Sequence, residues 1–125
     1  FDAADVALAA SGTVTTELAL SRTPMVSAYR VGSITYTLAR PLFRFKYFTL
    51  VNLLLDRKAV PEFLQSGATP KALSDAVIEL FTNSKTAELQ IKALDEAMSL
   101  LGQGSERPSL RAAAALIEFA RENRV

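Results

Sequence analysis

The sequence contains no cysteine and no histidine. That double absence excludes disulfides, thiol nucleophiles, Cys/His zinc centres and any histidine-based triad. No apolar run is long enough to read as a membrane-spanning helix, and no signal peptide is evident. Net charge is nearly absent as well: the formal value is +1, which argues against a whole-chain polyanion binder. What remains is 125 residues, 50% hydrophobic and 22% charged, the composition of one packed domain rather than a disordered segment. The chain opens on Phe1, close to what reads as a buried strand, so we expect a piece of something longer.

The near-zero charge hides an asymmetry. Over residues 22–58 the basic side chains are Arg22, Arg30, Arg40, Arg44, Lys46, Arg57 and Lys58, against the single acid Asp56. The balance of the chain is acidic. Such a stretch suggests a face for phosphates or anionic lipid; the plain alternative is solvated cations on helix surfaces.

The run Val6-Ala7-Leu8-Ala9 predicts a short strand buried on both faces, closed by Ser11-Gly12-Thr13. A helix follows to about Leu20, Pro24 stops it, and Met25-Val26-Ser27-Ala28-Tyr29 reads as a second strand. Strand, turn, helix and strand in so short a span form a βαβ unit, so the sheet should be parallel. Residues 33–40 suggest a further helix and the aromatic alternation over 45–50 a third strand, with 52–57 as a loop or short helical turn. Thr69-Pro70 is a helix start, with Leu73, Ala76, Val77, Leu80 and Phe81 on one face. A second helix is expected from about Thr86, burying Ile91, Leu94, Met98 and Leu101, with Glu88 and Lys92 paired outside, and a third from about Ser109 with Ile117 on its inner side. The fold expected is therefore α/β: an incomplete Rossmann-like parallel sheet, its βαβ part over 1–60, followed by C-terminal helices over 69–125.

The chemistry falls on the first turn. Helix-opening N–H groups lack backbone partners and, with the helix dipole, favour an anion. Gly12 would let a diphosphate approach the backbone while Ser11 and Thr13 add hydroxyls, at the carboxyl ends of the strands where parallel sheets bind ligands. The pattern is neither G-x-G-x-x-G nor a P-loop, and on the pattern alone an ordinary N-cap with a turn glycine is the commoner explanation. Glu17, one helical turn on from Thr13, is placed to accept bonds from a ribose diol; the commoner use of such a residue is to satisfy the dipole. Arg30, directly after the second strand, has the planar fork suited to phosphate. Asn52 offers an amide and Arg57 a further cation to the same crevice.

Taken in order, the stretch from Ala10-Ser11-Gly12-Thr13 through Glu17, then Thr23-Pro24-Met25-Val26, Tyr29-Arg30, Lys46-Tyr47 and Asn52-Leu53-Leu54 to Arg57, resembles the C-terminal half of the lipid-A-disaccharide synthase family, with good register to about residue 82. That family has the two-domain GT-B glycosyltransferase architecture and belongs to bacterial lipid A synthesis. The resemblance implies transfer of 2,3-diacylglucosamine from its UDP derivative to lipid X, at the cytoplasmic face of the inner membrane, with no cofactor and no metal at the donor site. It further implies that Ser11, Gly12 and Thr13 receive the diphosphate, that Glu17 lies near the ribose, and that Arg30, Asn52 and Arg57 line the donor crevice. The family's general base lies in its N-terminal domain, so this chain alone is expected to be inactive. Departures are Thr16 for Leu, Ser27 for Val, Val51 for the Pro before the Asn, and Asp56 for the Gly before the Arg.

The segment 40–48 interleaves cations with aromatic rings, as a strand with basic neighbours would, or as a surface touching anionic membrane would. No RNA-binding pattern accompanies it, so no nucleic-acid partner is expected. A cut sheet edge predicts self-association into a homo-oligomer. The rival to the glycosyltransferase reading is a non-catalytic helical module whose apolar faces bind a partner protein.

Overall fold

A computed structural model of the chain describes residues 3–10, 12–30, 32, 46–102, 117 and 119. Strand β1 (Ala7–Ala10) leads through Gly12 into α1 (Thr13–Leu20), which returns to β2 (Met25–Tyr29). After a crossover come α2 (Leu50–Leu55), β3 (Glu62–Leu64), a 3₁₀ turn (Gln65–Gly67), α3 (Pro70–Thr82) and α4 (Ser84–Leu100). The three strands form one sheet in the order β1-β2-β3, both pairings parallel, with Ala10 opposite Ala28 and Tyr29 opposite Leu64. The expected α/β fold with a parallel sheet is therefore present.

Helices cover both faces of that sheet. Leu18 and Ala19 of α1, Val51 of α2 and Leu94, Ala97 and Met98 of α4 bury against Met25 and Val60, with Ala7 and Ala9 packed onto the cluster. Leu8, between those two alanines, points to the other face, where it lines a hollow with Leu73 and Val77 of α3. β1 is thus not buried on both faces: it is an edge strand, and Leu8 is 54% exposed.

The ends of the helices follow local chemistry. After α1 the chain turns at Arg22, φ 57°, as Arg22 N–H donates to Ala19 O and Thr23 N–H to Leu18 O, a left-handed helix stop. α3 starts as predicted, with Pro70 in its first turn and the Thr69 hydroxyl accepting from Ala72 N–H at 3.2 Å. α4 begins earlier than Thr86, because the Asn83 side chain accepts from Thr86 N–H at 3.2 Å and so caps a helix opening at Ser84. Its buried stripe is Gln90, Ala93, Leu94, Ala97 and Met98; Ile91 is half-buried, Leu101 exposed, and Glu88 and Lys92 make no ion pair.

Two expectations are corrected. The third strand is not at 45–50: 46–49 lie outside regular structure, Leu50 opens α2, and the strand is Glu62–Leu64 beyond Pro61. Of the two forms expected for 52–57, loop or short helical turn, the helical one is present, as the end of α2 with Asn52 inside it. Ile117 is exposed rather than inward-facing; the rest of the expected C-terminal helix, and the helix over 33–40, lie outside the described residues.

Candidate functional site

Among the described residues, α1 is the α-helix whose amino end no side chain caps. Thr49 accepts from Asn52 N–H at the start of α2, Thr69 caps α3 and Asn83 caps α4. At α1 the cap position is Gly12, with φ 139° and ψ −155°, a conformation that L side chains rarely adopt. A Cβ added there would meet nothing within 4 Å, so the requirement for glycine is one of backbone shape, with open space beside it. The carbonyl of Gly12 is engaged inward by Thr15, whose hydroxyl and N–H donate to it at 2.7 and 3.2 Å. The acceptor of this turn is thus engaged within the helix, and no side chain caps its first N–H groups, the arrangement that favours an anion at a helix amino end.

Strand register brings the other members together. Two residues past the paired Ala10 and Ala28 stand Gly12 and Arg30, both exposed, at the carboxyl edge of adjacent strands. One residue past the paired Tyr29 and Leu64 stand Arg30 and Gln65. Gln65, which sequence reasoning missed, has φ 50°. Thr13 opens α1 beside Gly12, and Glu17 is exposed one turn deeper on the same helix. Ser11 lies outside the described residues. Beside Arg30, a hollow of about 520 Å³ runs under α3, lined by Leu8, Ala68, Pro70, Leu73, Ser74 and Val77.

The two remaining candidates are elsewhere and engaged. Asn52 is 0% exposed rather than presented to a crevice: its amide donates to Val60 O at 2.8 Å and accepts from Ala59 and Val60 N–H at 2.8 Å each. A buried amide with both ends satisfied holds the loop before β3 and offers nothing outward. Arg57, past the end of α2, pairs with Glu96 of α4.

Gln90 of α4 does the same kind of service as Asn52. It accepts from Met25 N–H at 2.6 Å and donates to Met25 O at 3.1 Å and Ala59 O at 3.3 Å. Ser27 N–H reaches Pro61 O, so the same strand edge at Met25 faces a partner not yet in register, and the Gln90 amide fills the gap in the ladder. Its signal in the sequence is a glutamine four residues before Leu94, on the buried stripe. Glu62, also missed, accepts from Phe48 N–H at 3.1 Å and from the Thr49 N–H and hydroxyl at 2.5 Å each, placing a carboxylate at the amino end of α2.

Among the described residues, three cations of the stretch are paired with acids. Arg22 pairs with Asp95 at 3.0 Å, Lys46 with Asp56 at 3.4 Å, and Arg57 with Glu96. The Lys46 ammonium is held above its usual value of 10.5, first by its hydrogen bond to Tyr47 and then by the Asp56 charge. Lys58 lies 6.0 Å from the Phe63 ring centroid. Of the stretch's described cations, only Lys58 and Arg30 lack a carboxylate partner, and Arg30 is the one at the carboxyl edge. Arg40 and Arg44 lie outside the described residues.

A model of the lipid-A-disaccharide synthetase family matches residues 1–117. The lipid-A-disaccharide synthase of Rhodospirillum centenum is 46% identical over 117 residues, which cover 94% of this chain and 29% of the relative. Those of Nitrobacter winogradskyi and Paramagnetospirillum magneticum are 42% and 41% identical, each over 99% of this chain and 31% and 32% of the relative. The chain spans about three tenths of the length of these curated relatives.

Proposed function

The chain belongs to the lipid-A-disaccharide synthetase family, and we propose that it supplies the nucleotide-sugar-binding part of a UDP-sugar-dependent hexosyltransferase. The whole protein, on this reading, moves 2,3-diacylglucosamine from its UDP derivative to lipid X, releasing UDP and a lipid A disaccharide. The observation that carries it is the amino end of α1, entered through a glycine at positive φ, without a side-chain cap, at the carboxyl edge beside Arg30.

The chemistry follows from where charge develops. As the bond from the sugar to the β-phosphate breaks, the departing nucleotide gathers negative charge. The outward N–H groups of α1 and the Arg30 guanidinium are donors already aimed at that place, with no reorganisation needed during the reaction. The Ser11 and Thr13 hydroxyls add to the cradle, and the Glu17 carboxylate accepts from the ribose diol one turn deeper. Asn52 acts from behind as a positioning residue, through the loop that delivers β3, while Arg57 contributes only its surface pair with Glu96. The general base and the acceptor site belong to other parts of the whole protein, so this chain binds the donor without turning it over. The whole protein sits peripherally at the cytoplasmic face of the inner membrane, where acylated substrates reside; among the described residues no helix is long and apolar enough to cross a membrane. Self-association through the outer edges of β1 and β3 belongs to the same reading.

Isothermal titration of the 125-residue chain with UDP tests the assignment. Saturable heat that Glu17→Ala weakens at least about tenfold supports it, in line with loss of a charge-assisted hydrogen bond. Silence at millimolar UDP overturns it in favour of a non-catalytic helical interaction module.

A further inference from the structure

We infer that Gln65 reads the hydroxyl groups of the donor's sugar, an inference that rests on the donor-site reading above. Three adjacent strands deliver Gly12, Arg30 and Gln65 in a row along the carboxyl edge of the sheet. The first brings backbone N–H donors and the second a cation, both directed at phosphate. The third is a neutral amide that both donates and accepts, the chemistry a hydroxyl group requires and a diphosphate does not. Recognition therefore grades along the edge from anion to neutral polyol.

The backbone at Gln65 supports a role for its side chain. Its φ of 50° is one that glycine adopts at no steric cost, and Gly67 stands two residues later in the same 3₁₀ turn without a positive φ. The chain thus spends the demanding conformation on a residue with an amide while a glycine lies within reach. The other non-glycine residues at positive φ, Arg22 and Asp56, follow the ends of α1 and α2, where a left-handed residue is an ordinary helix stop. Gln65 ends a strand at the ligand edge, where strain of this kind accompanies function.

The test compares UDP with UDP-N-acetylglucosamine as probes, titrated into the 125-residue chain and its variants Gln65→Gly and Gln65→Asn. Glycine relieves the left-handed backbone and removes the amide; asparagine tolerates the conformation and shortens the amide's reach. The wild-type chain should bind the nucleotide sugar about tenfold more tightly than UDP, the increment of one or two good hydrogen bonds. Gln65→Gly should melt higher, hold UDP within about twofold, and lose that increment; Gln65→Asn should fold normally and lose most of it. Equal affinity of the wild-type chain for the two probes, or an increment that survives both substitutions, overturns the inference while leaving the donor-site reading in place. Failure of UDP itself to bind the wild-type chain overturns both.

Discussion

On the side of the sheet where the strands begin, Asn52 and Gln90 make six hydrogen bonds between them, every one to a main-chain atom of Met25, Ala59 or Val60. On the side where the strands end, Gly12 caps α1 with no side chain at all and Arg30 has no carboxylate partner. The same kinds of polar group thus serve opposite purposes within one small sheet. Where the backbone is out of register, buried amides complete it; where the helix end is left uncapped, its donors are the ones the proposed function assigns to a ligand. Burial, not residue type, separates the two. An asparagine at 0% exposure belongs to the fold, and an exposed arginine beside uncapped helix amides belongs, on the proposed reading, to the donor site.

The sharpest way to break this contrast is at Asn52. Asn52→Ala strands Val60 N–H and Val60 O in the core, while Ala59 N–H keeps its bond to Arg57 O, and leaving buried groups unpaired costs about 1–3 kcal/mol each where no water enters. We expect a loss of roughly 3–5 kcal/mol in urea unfolding, near the upper end for a single substitution. Asn52→Asp should not rescue it, since it replaces the donor to Val60 O with an acceptor and buries a charge. A variant that kept its stability and lost only UDP binding would return Asn52 to the ligand side.

The next comparison sets one arginine against another. Arg30→Ala should weaken UDP binding about tenfold or more, the worth of a charge-assisted bond to phosphate, with the melting temperature nearly unchanged because Arg30 is exposed and makes no ion pair. Arg57→Ala should leave UDP affinity within about twofold. Its pair with Glu96 is half-exposed, so even the stability effect should be under about 1 kcal/mol. Equal losses of affinity in the two variants would erase the distinction between the two sides of the sheet.

Much of this was legible before any coordinates. The turn Ser11-Gly12-Thr13, the stop at Pro24 and the start at Thr69-Pro70 are local signals, and β1, α1, β2 and α3 stand within about a residue of where those signals put them. β3 was not legible: three residues after a proline carry no period, while the aromatic alternation at 45–50 reads as the better strand. α2 is legible only as a loop or short helical turn, because its LVNLLL run is apolar but for Asn52 and carries no one-faced period. The assignments of Asn52 and Arg57 to the crevice rest on residue chemistry and on the family resemblance, neither of which carries the packing around them. Their partners, Val60 and Glu96, come from other elements, and no local pattern announces them. The pairing within the cationic stretch is equally silent in the sequence, since the acids that meet Arg22 and Arg57 sit side by side on α4.

The smallest expected effect separates ordinary helix stops from strain with a purpose. Asp56 follows α2 at φ 46°, a position where the resemblance to the family leads one to expect glycine, and its carboxylate meets only the exposed Lys46. Asp56→Gly should therefore stabilise the chain by about 0.5–1 kcal/mol, because glycine occupies the left-handed region without the Cβ clash and little is lost with an exposed ion pair. The greater freedom glycine gives the unfolded chain reduces that gain, which is why the figure is no larger. UDP and UDP-N-acetylglucosamine affinities should both stay where they are. The same substitution at Gln65 should also stabilise, yet lose the sugar's increment. If the two glycine variants behaved alike in binding as well as in melting, the left-handed residue at the end of β3 would be a stop like any other, and the difference between the two sides of the sheet would reduce to Gly12 and Arg30.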